Sequence, residues 1–304
     1  MSQSEGFVDP PTPDRELSVE IVREVLREQF PQLAVQSVEY LASGWRNDAY
    51  LVDQHLVVRF PQYAAAADGL EAQARQLDLV AAAAGGLFAV PRITLWGEPS
   101  ARFPHRFAGH ELIPGAPIYD PRAPRAPELA DDLGRALTRI HSIPAELAER
   151  SGVGVQATQY AEPLDQLRGM MPLVPQLEDL APDVWAWFDA GPAVPRDYSG
   201  PPRFIYGVSP HHVMVDLDTG RLSGLIDCDA RLGDPADDLS ELVLIRGPAF
   251  LRRALESYAL PVDPELVDRA IFLGRVRALA WLAGAVKCGE GAGMLELVRW
   301  AFTD

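Results

Sequence analysis

Ile226-Asp227 closes a short apolar run after a turn, and Gly233-Asp234-Pro235-Ala236-Asp237-Asp238 follows a few residues later. A strand ending on an aspartate presents a carboxylate at a sheet edge, where oxygen can hold a hard cation carried by a polyphosphate. The same placement suits a side chain that only caps the next helix, so the pattern alone leaves both readings of Asp227 open. Just upstream, Tyr206-Gly207-Val208-Ser209-Pro210-His211-His212 gathers a phenol, a hydroxyl and two imidazoles in one loop. With Asp229 these groups form a ready set of acids, bases and hydrogen-bond donors. Magnesium prefers oxygen to imidazole, so His212 reads equally as a cation ligand and as a hydrogen-bonding neighbour.

The hydrophobic pattern predicts the elements that would position these groups. Ser18 precedes VEIVREVLREQF, whose Ile21, Val22, Val25, Leu26 and Phe30 fall at helical spacing, so an amphipathic helix is expected over 18–30. Strands follow over 35–41, 49–52 and the β-branched run Leu56–Phe60, then over Val90–Trp96 and His110–Ile113. Leu70–Ala84 between them reads as a helix. After Ile113-Pro114-Gly115 the pattern turns helical. One helix opens at Pro127-Glu128 and runs to about His141, with Leu129, Leu133, Leu137 and Ile140 on its buried face. Two more fall within 160–189, and Asp238–Thr303 is almost wholly helical. A hairpin, Val213–Val215 with Leu222–Ile226, carries Asp227. These elements predict an α+β chain with a flexible lead-in at 1–17, a β-rich lobe at 18–112 and a helical lobe at 113–304.

A chain of 304 residues that is 48% hydrophobic can bury a large core. It contains no run of about 18 apolar residues, so no membrane span is expected. MSQSEGFVDPPTPDREL lacks the basic start and apolar centre of a secretory signal. Cys228 and Cys288 fit no metal spacing, and two thiols in so long a chain point to a reducing cytoplasm. The net charge of −16 argues against a nucleic-acid partner. It suits either plain solubility or the drawing of a cationic small molecule into an acidic cleft.

A β-rich lobe, a Pro-Gly hinge, a helical lobe and a hairpin ending in Asp form a kinase-type order of elements. In detail the chain resembles the aminoglycoside phosphotransferase family, and its macrolide phosphotransferase branch in particular, over roughly residues 35–245. The resemblance is carried by GWRNDAYLV at 44–52, LVVRFP at 56–61, LEAQAR at 70–75, ELIPG at 111–115, LGRALTRIHSIP at 133–144, SPHHVMVD at 209–216 and SGLIDCDARLGDPADD at 223–238. It implies a bilobal protein-kinase-like fold that uses ATP or GTP with Mg2+ to phosphorylate a hydroxyl of a small-molecule substrate such as an antibiotic. By the resemblance, the Gly44 to Asn47 turn covers the nucleotide phosphates, glycine letting the backbone come close. Arg59 stands where the family carries a basic strand residue and would pair with those phosphates bidentately. Gln73 aligns with the family's helix glutamate, while Glu71 lies two positions off on another face. Glu111 to Ile113 would offer backbone groups to a purine, and Asp227, assisted by His212, would hold the metal.

Two departures stand out beside these matches. The family's catalytic loop reads His-Gly-Asp, four residues, then Asn, or His in macrolide enzymes. Aligning on His212 puts Gly207 where that Asp belongs; aligning Tyr206-Gly207 on His-Gly deletes the Asp. Either way the general base is missing, and the nearest carboxylates in sequence, Asp197 and Asp216, lie outside the loop. The segment after Asp227 is also one residue short, leaving Cys228-Asp229 as a contracted version. Base assistance is worth about 10²–10⁴-fold, and phosphoryl transfer depends mostly on positioning, so slow turnover survives its loss. Three functions follow: an impaired phosphotransferase, a pseudokinase that binds without transferring, or a cleft repurposed around Tyr206, Ser209, His211, His212 and Asp229. In the first, an Asp restored at position 207 or inserted after it is expected to raise turnover. Asp234 and Asp238 read as caps that brace the catalytic segment and His141 as structural. Trp185, Trp187, Met170 and Met171 read either as core or as a wall for a large lactone.

Overall fold

Ser18 caps the first helix: its hydroxyl accepts from the Ile21 N–H at 3.3 Å, and α1 (Val19–Gln29) buries Val22, Val25 and Leu26. The computed structural model describes residue 14 and residues 17–170, 182–287 and 294–303. The stripe on α1 packs against an antiparallel sheet of β1 (Val38–Ser43), β2 (Asn47–Val52), β3 (Leu56–Pro61), β4 (Ile93–Gly97) and β5 (Phe107–Glu111), in the order β1-β2-β3-β5-β4. Phe60 and Phe107 stack at 4.4 Å between ring centroids inside this small core. After the short α2 (Ala64–Asp68), α3 (Leu70–Ala84) turns its Leu77, Val80 and Ala84 into the core of the helical lobe. This helix, which follows the small sheet's first three strands in sequence, thus packs on the helical lobe.

The second lobe is built on α4 (Leu129–His141), α5 (Ala145–Arg150), α6 (Ala161–Met170), α7 (Pro182–Asp189), α8 (Ala236–Glu256), α9 (Leu266–Lys287) and α10 (Leu295–Phe302). Two small antiparallel ribbons lie on it. One is β6 (Ala116–Pro117), β8 (Val213–Val215) and β9 (Leu222–Leu225); the other pairs β7 (Arg203–Ile205) with β10 (Arg231–Gly233). The helical region predicted from Asp238 onward is broken inside α8, where Arg246 and Gly247 leave helical dihedrals before Pro248. Gly247 has φ +84°, and a Cβ there would lie 2.6 Å from the Trp300 carbonyl oxygen, so the kink depends on glycine.

Several strand limits differ from expectation: β1 runs Val38–Ser43 rather than 35–41 and β2 Asn47–Val52 rather than 49–52. β4 begins at Ile93, because Ala89 instead bridges to Gly224 of β9. β5 is Phe107–Glu111 rather than 110–113, since its register with β3 runs from Arg59↔Ala108 to Leu56↔Glu111. β9 ends at Leu225, so Asp227 does not terminate the strand: the Ile226 N–H turns to the His212 carbonyl, and Asp227 adopts φ +57°. Trp185, Trp187 and Met170 pack against the helical core, with Trp187 edge-on to Phe302 at 5.3 Å; Met171 and Cys288 lie outside the described residues.

Candidate functional site

Arg59 projects from the middle of β3, its side chain only 14% exposed, and reaches two partners. Its Nη2 donates to Asp227 Oδ1 at 3.2 Å, and its Nη1 donates to Gln73 Oε1 at 3.1 Å. Gln73, on the part-buried side of α3 that faces Arg59, turns its amide nitrogen to the Cys228 carbonyl at 3.0 Å. Strand, helix and the segment after β9 are therefore closed into one hydrogen-bonded ring. Glu71 takes no part in it. Two helical positions rotate a side chain by roughly 200°, and Glu71 pairs instead with Arg106 on the outer surface. Gln73 is thus the α3 residue at the site, and Glu71 is removed from it.

His212 lies on the 3-10 turn Pro210–His212, with Nε2 3.4 Å from Asp227 Oδ2. Burial lowers its pKa, as does the charge of Arg59, against the upward pull of Asp227, so the ring tends to neutrality. Its Nδ1 is buried with no hydrogen-bond partner among the described residues. The tautomer with the proton on Nε2 turns it toward Asp227 Oδ2, 3.4 Å away, and leaves only a lone pair unmatched at Nδ1. Ligating a metal through Nε2 would put an unmatched N–H there instead, whereas metal-bound imidazoles normally donate that hydrogen to an acceptor. The geometry suits His212 as a close polar neighbour of Asp227. No group of three or more His, Cys, Asp or Glu side chains suited to a metal gathers among the described residues. A single carboxylate at Asp227 fits magnesium, which takes one or two protein carboxylates and completes its shell with phosphate oxygens and water.

The Tyr206–Val208 loop is shaped from behind by Asp238, which is fully buried at the start of α8. Asp238 Oδ1 accepts from the Gly207 and Val208 N–H groups at 2.9 and 2.8 Å, and Oδ2 accepts from Tyr206 N–H at 2.7 Å. His141 adds Nε2 at 3.2 Å on Oδ2, while its Nδ1 lies 2.8 Å from the Tyr258 hydroxyl. Tyr206 is buried, its hydroxyl donating to the Leu225 carbonyl at 3.1 Å, and burial drives its pKa well up. It is a strut of the loop and offers no accessible acid. Ser209 receives the His212 N–H on its carbonyl at 2.8 Å, and the His211 ring stands against Tyr119 at 5.2 Å and Trp281 at 6.0 Å. Gly207 has φ +78°, and a Cβ on it would lie 3.0 Å from the Asp229 carbonyl oxygen. An aspartate at 207 is therefore strained, and the expectation that it would raise turnover is not supported by the backbone here.

The Gly44 to Asn47 turn hangs over this group from the small lobe. Gly44 N–H donates to the Asn47 carbonyl at 2.9 Å, and Gln62 pins the turn through Ser43 Oγ, the Gly44 carbonyl and Asp48 Oδ1 at 2.7, 3.1 and 3.0 Å. Asn47 Oδ1 is buried with no partner among the described residues. Arg46 reaches across to Asp229, Nη2 to Oδ1 at 3.9 Å. On the linker between lobes, His110 Nδ1 lies 2.8 Å from the Glu111 carbonyl, Leu112 N–H donates to the His55 carbonyl at 2.7 Å, and Ile113 is buried against Gly224. The roles of Gln62 and of the Arg46–Asp229 contact had no signal in the sequence beyond their nearness to the turn and to Asp227.

A family profile described as a phosphotransferase enzyme family matches residues 37–269. Among solved structures, the chain is similar to the GDP complex of an aminoglycoside 2'-phosphotransferase-IIIa, at 24% identity over 94% of this chain and 98% of that one, with a TM-score of 0.69. A macrolide 2'-phosphotransferase from Brachybacterium faecium is similar at 20% identity over 94% and 98% of the two chains, with a TM-score of 0.57. The streptomycin-ATP ternary complex of APH(2")-IIa is similar at 19% identity over 93% and 99%, with a TM-score of 0.55. At these identities the likeness carries the fold, a sheet-built lobe on a helical one. No curated protein matches the chain significantly.

Proposed function

The chain belongs to the phosphotransferase enzyme family, and from that premise we propose that it transfers the terminal phosphoryl group of magnesium-bound ATP or GTP to a hydroxyl of an aminoglycoside- or macrolide-type molecule. The observation that carries this reading is the ring Arg59–Asp227 and Gln73–Cys228, which brings a guanidinium and a carboxylate together between the lobes. Solved relatives hold GDP, or ATP with streptomycin, which supports a nucleotide and a small acceptor as ligands. Bound magnesium would neutralise phosphate charge and orient the terminal phosphoryl group. Asp227 holds the cation, with His212 beside its carboxylate. Arg59 exchanges part of its contact with Asp227 for phosphate oxygens, which its planar fork suits. The Gly44 to Asn47 turn lies over the phosphates, its glycine letting the backbone come close, and the Glu111–Ile113 linker borders the base. A reaction that draws on ATP or GTP and magnesium suits the cytoplasm. Among the described residues, no helix is long and apolar enough to cross a membrane.

Gly207 favours a second reading, in which the chain binds nucleotide without transfer, because no side chain at that position can accept the hydroxyl proton. A nucleotide-consumption assay with ATP or GTP, magnesium and a panel of kanamycin, gentamicin, streptomycin and erythromycin separates the two. Consumption that depends on one of these acceptors is expected. Tight nucleotide binding with no consumption over the panel and none in water would leave only the second reading.

A further inference from the structure

The two departures in the sequence meet in space. The loop that lacks its carboxylate, at Gly207, touches the segment that is one residue short, at Asp229. A Cβ on Gly207 would fall 3.2 Å from Asp229 Cβ and 3.0 Å from the Asp229 carbonyl oxygen, so side chains on these two residues would start side by side. The Asp229 N–H donates to the Tyr206 carbonyl at 2.9 Å, which fixes the two segments against each other. We infer that Asp229 supplies the carboxylate missing from the Tyr206–Val208 loop, receiving the hydrogen bond of the acceptor hydroxyl and its proton. The inference rests on the phosphotransferase reading above and adds the residue that reading leaves unassigned.

The surrounding carboxylates are committed elsewhere. Asp238 is occupied by three backbone N–H groups and His141. Asp237 is buried on Arg277, Arg231 and Thr158, and Asp234 on Arg269 and Tyr160. Of the two carboxylates nearest the loop in sequence, Asp197 accepts from Tyr160 N–H at 3.3 Å, and Asp216 closes its own turn on Asp218 and Thr219. Asp227 is held by Arg59 and His212. Asp229 differs from all of these: its side chain is 64% exposed, on the face of the loop that opens toward the Gly44–Asn47 turn, and its carboxylate meets Arg46 only at 3.9 Å. Arg46 sits on the Gly44–Asn47 turn, so this contact puts Asp229 on the side of the loop that faces that turn. Shortening the segment after Asp227 and losing the loop carboxylate are in this light a single exchange, one residue standing in for the other.

In the step this implies, the acceptor oxygen bonds to the terminal phosphorus while the bond from that phosphorus to its bridging oxygen breaks. The nucleoside diphosphate leaves with the electron pair, and the hydroxyl proton passes to Asp229 and then to water. Without the carboxylate, positioning and charge stabilisation remain, so the expected loss is about 10²–10⁴-fold in kcat, with little change in nucleotide KM.

The test uses the full chain, Asp229→Asn and Asp229→Glu, with Asp229→Ser as a second truncation should the amide variant fold poorly. Melting temperature with magnesium and ATP or GTP is measured first; then transfer to the four antibiotics above, and hydrolysis with water as acceptor. The expected result is a nucleotide-dependent stabilisation in every variant, a loss of about 10²–10⁴-fold in kcat for Asn and Ser, and partial activity in Glu. Turnover of Asp229→Asn within about threefold of the parent overturns the inference. So does a parent that is stabilised by nucleotide yet neither transfers nor hydrolyses, which leaves nucleotide binding standing. A parent with no stabilisation by either nucleotide removes the underlying phosphotransferase reading itself.

Discussion

Replacing Asp238 by Asn removes one acceptor from a carboxylate that has four donors converging on it. Oδ1 takes the Gly207 and Val208 N–H groups at 2.9 and 2.8 Å; Oδ2 takes Tyr206 N–H at 2.7 Å and His141 Nε2 at 3.2 Å. An amide oxygen can keep one of these pairs, but its NH2 group then faces the other two donors in a fully buried site. Two charge-assisted bonds, each worth about 1.5–3 kcal/mol, are lost, so Asp238→Asn should destabilise the fold by about 3–6 kcal/mol. Total stabilities of domains are about 5–15 kcal/mol, so this is a large fraction. The measurement is urea unfolding followed by circular dichroism, in the absence of nucleotide. Burial raises the pKa of Asp238, but the hydrogen bond and charge of His141, the charge of Arg231 and the Tyr206 N–H outweigh it, and the net shift is downward. A depressed carboxylate pKa contributes stability above the unfolded value of about 3.9 and loses it as pH falls through the folded value. The deficit of Asp238→Asn should therefore shrink below about pH 4. A loss under about 1 kcal/mol at neutral pH, or one that does not change in acid, would refute the assignment of Asp238 as the brace of the loop.

Gly207→Ala and Gly207→Asp should each lose about 1–3 kcal/mol in the same unfolding experiment, because of φ +78° and the 3.0 Å approach to the Asp229 carbonyl. Gly207→Asp should also fail to raise turnover, and a faster enzyme would show that the loop relaxes around the new side chain. Gln73→Ala should weaken nucleotide binding by freeing both Arg59 and the Cys228 carbonyl, whereas Glu71→Ala should leave it unchanged in a titration with magnesium and nucleotide. Burial, together with the charges of Asp238 and Asp237, raises the pKa of Glu241 to about 7 against the pull of Arg277. The folded chain then holds a proton that the unfolded chain releases near pH 4.3, and stability declines as pH rises between those values. Glu241→Gln mimics the protonated form, so its melting temperature relative to the parent should rise between about pH 5 and pH 8; a constant difference would contradict the shift.

Much of the scaffold was legible because its signals are local. The β-branched run ending at Pro61 placed Arg59 on a strand, the apolar spacing of α4 placed its buried face, and the hairpin before Asp227 was marked by its turn. Strand ends were less legible, since β5 and β9 are bounded by register and by the positive φ of Asp227 rather than by propensity. The bonds that define the site join residues far apart in sequence: Arg59 and Asp227 are separated by 168 positions, Gln73 and Cys228 by 155. The sequence already put Glu71 on another face of the helix from Gln73, but the partners, Arg59 and Cys228 for Gln73 and Arg106 for Glu71, came only from the fold. The nearness of Gly207 and Asp229 was hidden for the same reason. Each change, read along the chain, is a loss, and only the folded loops bring them into contact.

In the proposed function Asp227, set against Arg59 between the lobes, holds a magnesium-bound nucleotide. The most direct measurement is the melting temperature of the full chain with ATP or GTP, with and without magnesium, beside Asp227→Asn. At a ligand concentration about 100 times the dissociation constant, binding adds about 2.7 kcal/mol, a rise of several degrees that should require magnesium and vanish in the variant. An unchanged melting temperature with both nucleotides, or an equal rise in Asp227→Asn, would contradict it.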